Sequence, residues 1–81
     1  MAVKTQEADL TGADIRAERA RYNVSQRELS ERLAADTEGA FSVWDAALGL
    51  IENSKLELTQ AEYQRCLDAI ERIVAARREQ S

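Results

Sequence analysis

Val24-Ser25-Gln26-Arg27-Glu28-Leu29-Ser30-Glu31-Arg32-Leu33 is the stretch on which the fold turns. It opens on a helix start that is signalled twice. Ser25 followed three residues later by Glu28 is a capping box, in which the hydroxyl accepts from a free N–H of the first turn and the carboxylate reaches back to the cap's own N–H. Val24 just before the cap and Leu29 at the fourth helical position form a hydrophobic staple, which fixes the angle at which the chain enters the helix. Together they predict a helix over residues 26–35.

The same grammar recurs on both sides. Thr11 with Asp14, Ser42 with Asp45 and Thr59 with Glu62 repeat the box. Leu10 with Ile15 and Leu58 with Tyr63 repeat the staple. Aspartate is shorter than the usual glutamate, so the boxes at Thr11 and Ser42 are the weaker signals. Helices are therefore predicted over 12–22, 26–35, 43–52 and 60–78. In the last of these Tyr63, Cys66, Leu67, Ile70, Ile73 and Val74 share a face, a stripe wide enough to pack on a globular core. Asp68 and Arg72 lie four apart on its polar side and are expected to pair. Beyond Val74 the chain turns polar and is expected to fray. The expected architecture is all-α, a compact domain of four helices, or at most five, over residues 11–76. Polar tails at 1–10 and 77–81 flank it.

Bulk composition agrees and narrows the function. The 81 residues make one domain, contain no proline to break a helix, and are 44% hydrophobic with only four aromatics. The core must therefore be built from Leu, Ile, Val and Ala. Cys66 is the single cysteine and histidine is absent, which removes an internal disulfide and a zinc site. Cys66 falls on the apolar stripe and reads as core filler. No signal-like or membrane-spanning run is present, so a cytoplasmic location is the expectation. Without histidine, a Gly-rich phosphate loop or a nucleophile beside clustered acids, no enzyme is expected and no cofactor or metal is implied. The Ser and Thr residues are accounted for as caps.

Further residues carry a resemblance. Ile15-Arg16 and Arg19 lead through Tyr22-Asn23 into the Ser25–Leu33 block, and Leu50-Ile51-Glu52-Asn53-Ser54 follows later. This resembles the phage repressor and Cro-type helix-turn-helix family, over about residues 12–74. The resemblance implies a DNA-binding transcriptional regulator with the third helix in the major groove. It implies that Gln26, with Arg27, touches phosphate, and that Asn53, with Lys55 nearby, does the same at the far end of the third helix. It places Asp45, Ala46, Gly49 and Leu50 toward the bases, with Ser42 and Trp44 beside them, although Trp44 reads more simply as an anchor for the core. Arg19 and Glu52 are implied as an internal clamp between helices. Many members of the family bind as dimers, so a homodimer on double-stranded DNA is the partner expectation, with the last helix as its spare surface.

Two features depart from the family. Ser25 and Glu52 stand 27 positions apart, about eight more than usual, or roughly two helical turns. The surplus is expected in a lengthened loop at residues 36–41, where Asp36, Thr37 and Gly39 are turn formers. The other departure is chemical. Base readout normally uses Arg, Lys, Asn or Gln, and none stands at the base-facing positions. Residues 36–57 hold five acids against Lys55, whereas residues 16–32 hold five arginines against three acids. With a net charge of −4, this sets a rival expectation, a helix-turn-helix scaffold whose acidic surface meets a basic protein. A third reading has the DNA grip supplied by a more basic domain on another chain.

Overall fold

The computed structural model describes residues 9–80. Four helices account for most of them: α1 (Gly12–Tyr22), α2 (Gln26–Thr37), α3 (Phe41–Glu52) and α4 (Gln60–Gln80). No strand occurs among the described residues, and no helix is long and apolar enough to cross a membrane. The all-α, four-helix expectation holds.

Local chemistry sets the starts of α1, α2 and α4. The Ser25 N–H donates to Glu28 Oε1 and the Glu28 N–H donates to Ser25 Oγ, both at 3.0 Å. At α4 the Thr59 N–H donates to Glu62 Oε1 at 2.9 Å and the Glu62 N–H donates to Thr59 Oγ1 at 3.1 Å. At α1 the Asp14 carboxylate reaches back to the Thr11 N–H at 2.7 Å. These bonds satisfy first-turn donors that have no partner within a helix. The staples close as well. Val24, Leu29, Ile15 and Tyr63 are buried, and Leu10 and Leu58 pack against the same core.

The box at Ser42 does not form. α3 starts earlier, at Phe41, with Ala40 in extended backbone as its cap and no side-chain cap bond. Ser42 lies exposed in the first turn. The cause is that Asp45 has better partners across the helix pair, as described below. The lengthened loop is also absent. Thr37 stays in the helix because its Oγ1 donates to the Leu33 carbonyl at 2.6 Å and accepts the Trp44 indole N–H at 3.1 Å. Glu38 then turns the chain in a left-handed conformation, φ 59°, and the Gly39 N–H closes on the Ala34 carbonyl at 2.9 Å. Only Glu38–Ala40 separate α2 from α3. The surplus length therefore lies in the helices.

α3 packs on α2 and α1, and α4 packs across α1 and α2. Ile15, Leu29, Leu33, Leu48, Ile51, Cys66, Ala69 and Ile70 are sealed between them, with Val24 and Tyr63 at the margin. Cys66 is fully buried, and that burial pushes its thiol up to about 11. Gly12 marks the closest approach of two elements. A side chain there would fall on the Ile51 carbonyl at the end of α3, well inside van der Waals distance.

The C-terminus corrects the expectation of fraying beyond Val74. α4 continues to Gln80, and Arg77 fastens its last turns to the rest of the fold. Its guanidinium donates to the Tyr22 carbonyl at 2.8 Å, to the Asn23 carbonyl at 3.1 Å and to both oxygens of Glu28 at 2.8 and 2.9 Å. One side chain thereby caps the end of α1 and holds the capping acid of α2. At the opposite end of α4, Gln60 exchanges two hydrogen bonds with the Leu10 backbone, at 2.6 and 3.0 Å. Arg72 pairs with Asp36 of α2 at 2.9 Å, and Asp68 instead accepts from Gln64 at 3.0 Å. The expected Asp68–Arg72 pair is replaced by a contact between helices.

Candidate nucleic-acid interface

The helix pair α2–α3 is locked from within by the carboxylates that made this region look acidic. Asp45 turns toward α2. Gln26 Nε2 donates to its backbone carbonyl at 3.1 Å and to its Oδ1 at 3.3 Å, and the Ser30 hydroxyl reaches the same oxygen at 3.4 Å. Ser30 is fully buried, so this bond satisfies a hydroxyl that would otherwise cost free energy in the core. Trp44 also faces inward, held by Thr37 and packed on the core. Asp45 and Trp44 are thus not outward-facing, and the Gln26 amide is engaged inside the protein.

The Arg19–Glu52 clamp is present as expected. Arg19 Nε donates to Glu52 Oε2 at 2.8 Å and Nη2 donates to Oε1 at 2.6 Å, a bidentate pair whose side chains are 17% and 6% exposed. A third bond, from Nη1 to the Val24 carbonyl at 3.0 Å, ties in the turn before α2. Donation to the Glu52 carboxylate raises the Arg19 pKa further, against the opposing effect of burial. The pair fixes the end of α3 against α1 and matches the Glu52 charge.

What α3 does present outward is a row of short, mostly apolar side chains. Ser42, Val43, Ala46, Leu50 and Asn53 are exposed, Val43 by 65% and Leu50 by 46%. Gly49 lies on the edge of this row, and a Cβ built there would meet nothing within 4 Å. No neighbour inside the described chain requires a glycine at that position. The Asn53 amide folds back onto the Gly49 carbonyl at 2.8 Å. Asn53, Gly49 and Gln26 line a cavity of about 240 Å³ together with Arg16 and the Arg19–Glu52 pair.

Cations stand at both ends of the row. At its start Arg27 lies over the Phe41 ring, 5.3 Å from the centroid, and makes only a solvent-exposed contact with Glu31 at 3.4 Å. At its end are Arg16, on the rim of the cavity, and Lys55, whose N–H closes on the Leu50 carbonyl at 2.8 Å. Neither Arg16 nor Lys55 enters an ion pair among the described residues. The sequence reading passed over Arg16. It stands three residues before Arg19, so it lies one turn along the helix from the clamp and on the same side.

Of the sequence-derived candidates, the structure therefore groups Ser42, Ala46, Gly49 and Asn53 along one outward edge, with Arg27 and Lys55 at its ends. Gln26 borders the cavity, and Asp45 and Trp44 belong to the packing between helices. No family model, curated protein or solved structure matches the chain.

Proposed function

We propose that this protein is a sequence-specific DNA-binding transcriptional regulator of the repressor and Cro-like kind, with α3 entering the major groove. The observation that carries the reading is the outward row of α3 with exposed cations at both ends. A helix of 12 residues is about 18 Å long, and a major groove about 12 Å wide has phosphates along both walls. Side chains no larger than leucine let the α3 backbone sit deep between those walls. Arg27 at one end and Arg16 with Lys55 at the other are placed to meet phosphate, whose contacts set position while the groove floor sets sequence. The Arg19 guanidinium neutralises Glu52, and hydrogen bonds to Gln26 and Ser30 turn the Asp45 carboxylate toward α2.

The test is selection of bound duplexes from a random pool with the full chain at low and moderate salt. A recovered consensus supports the proposal, and a two-fold symmetric one adds a homodimer to it. Failure to enrich any duplex at low salt, with the protein folded by circular dichroism, rejects it. A second reading has one observation in its favour. Val43 and Leu50 are exposed apolar side chains on a single helix face, a surface that another protein could cover. Under that reading, replacing Arg16 and Lys55 with alanine leaves partner binding intact.

A further inference from the structure

The outward face of α3 has almost nothing with which to hydrogen-bond a base. Its aspartate and its tryptophan point inward, and the Asn53 amide is occupied by the Gly49 carbonyl. Beside the Ser42 hydroxyl in the first turn, Val43, Ala46 and Leu50 remain, three and four positions apart on one side of the helix. Of the groups on the major-groove floor only one is apolar, the C5-methyl group of thymine.

We propose that α3 reads DNA through thymine methyl groups, with Val43, Ala46 and Leu50 as the contacting side chains. This rests on the DNA-binding reading above and specifies what that site recognises. The flanking cations select a duplex over a protein as the occupant. Val43 and Leu50 lie seven residues apart, about 10 Å along the helix axis. At 3.4 Å per base step that is about three steps, so the footprint is three or four consecutive base pairs carrying thymines in register with the three side chains. Gly49 sets the depth of approach, because the absent Cβ leaves the backbone free to come close to the edge of the groove. The recognised sequence is then defined by where its methyl groups stand.

The experiment takes the consensus recovered by selection and replaces each thymine in turn with deoxyuridine, which keeps every hydrogen-bonding group and removes only the methyl. Binding is read by fluorescence anisotropy. Burial of one methyl-sized group corresponds to about a fourfold change in affinity. The expected result is a loss of about that size at two or more adjacent positions and none at thymines outside the footprint. Placing 5-methylcytosine where cytosine occupies a contacted position should strengthen binding. Leu50→Ala, a change at an exposed site that leaves the fold intact, should abolish the thymine–uracil difference at one position and keep it at the others. A consensus whose uracil copies bind as tightly as the original overturns methyl readout while leaving the regulator reading in place. Absence of any enriched duplex overturns both.

Discussion

Ser54 holds a left-handed backbone, φ 62°, directly after the cap of α3. That conformation costs an L-residue about 1–2 kcal/mol, and glycine adopts it freely. Ser54 is thus a site of local strain that glycine would relieve. Ser54→Gly is expected to stabilise the fold by roughly 0.5–1 kcal/mol, after the greater freedom of glycine in the unfolded chain offsets part of the gain. Urea denaturation measures it, and an unchanged midpoint would refute the strain argument. Gly49 is the opposite case, since an alanine there meets no neighbour and improves helix propensity by up to about 1 kcal/mol. Gly49→Ala should therefore raise stability and weaken DNA binding together. If the variant is more stable and binds DNA equally well, Gly49 has no part in the approach to the duplex. Both positions show a limit of sequence reading. Gly49 is unusual within a helix from sequence alone, but only its surroundings in the fold show that no other part of the described chain demands it.

Helix starts were legible where side chains close a local loop on their own backbone, as Ser25, Thr59 and Thr11 do. They were not legible where a distant element outbids the local one. Asp45 could have capped α3 from Ser42, yet it bonds to Gln26 and Ser30, which lie 19 and 15 positions away. Arg77 was misread for a related reason. Tyr63, Cys66, Ile70, Ile73 and Arg77 follow one another at spacings of three and four, so the seam of α4 continues through a residue whose charge suggested a tail. An arginine in that register can lay its stem along the core and extend its head to the carbonyls ending α1. The capping acids also give the elements a pH dependence. The Glu28 pKa is lowered by the Ser25 backbone N–H and then by Arg77, and the Glu62 pKa by the Thr59 backbone N–H. Because the folded carboxyls hold protons less tightly than the unfolded ones, this stability is present above the ordinary glutamate range. It is lost as pH falls through the lowered values. Thermal midpoints measured from about pH 7 to about pH 3 should fall, and Glu28→Gln with Glu62→Gln should flatten the fall. An equally steep acid dependence in that double variant would assign it to other groups.

For the molecule as a whole, a net charge of −4 says less about partners than the placement of the charges does. Asp36 is engaged by Arg32 and Arg72, Asp45 by Gln26 and Ser30, and Glu52 by Arg19. Two of the five acids in residues 36–57, Asp36 and Glu52, are thus matched by arginines from outside that stretch, which composition could not reveal. Arg16, Arg27 and Lys55 are exposed on the α3 side. If these three meet phosphate, the logarithm of the binding constant should fall against that of salt with a slope of about −3. Removing Arg16 should reduce the slope by about one without altering the consensus. A consensus that changes with Arg16→Ala would mean that this arginine reads a base. The brace made by Arg77 also has a consequence for how the protein comes into being. On the ribosome, α1, α2 and α3 are complete before the residue that joins the α1 end to the α2 start has been synthesised. Until that residue and the seam before it emerge, Leu29 and Leu33 have no finished core to enter. A nascent chain halted between Glu52 and Arg77 would hold α1, α2 and α3 without the complete helix that packs across α1 and α2. It would be open to proteases and chaperones, so the last turns of α4 time the moment at which the domain closes.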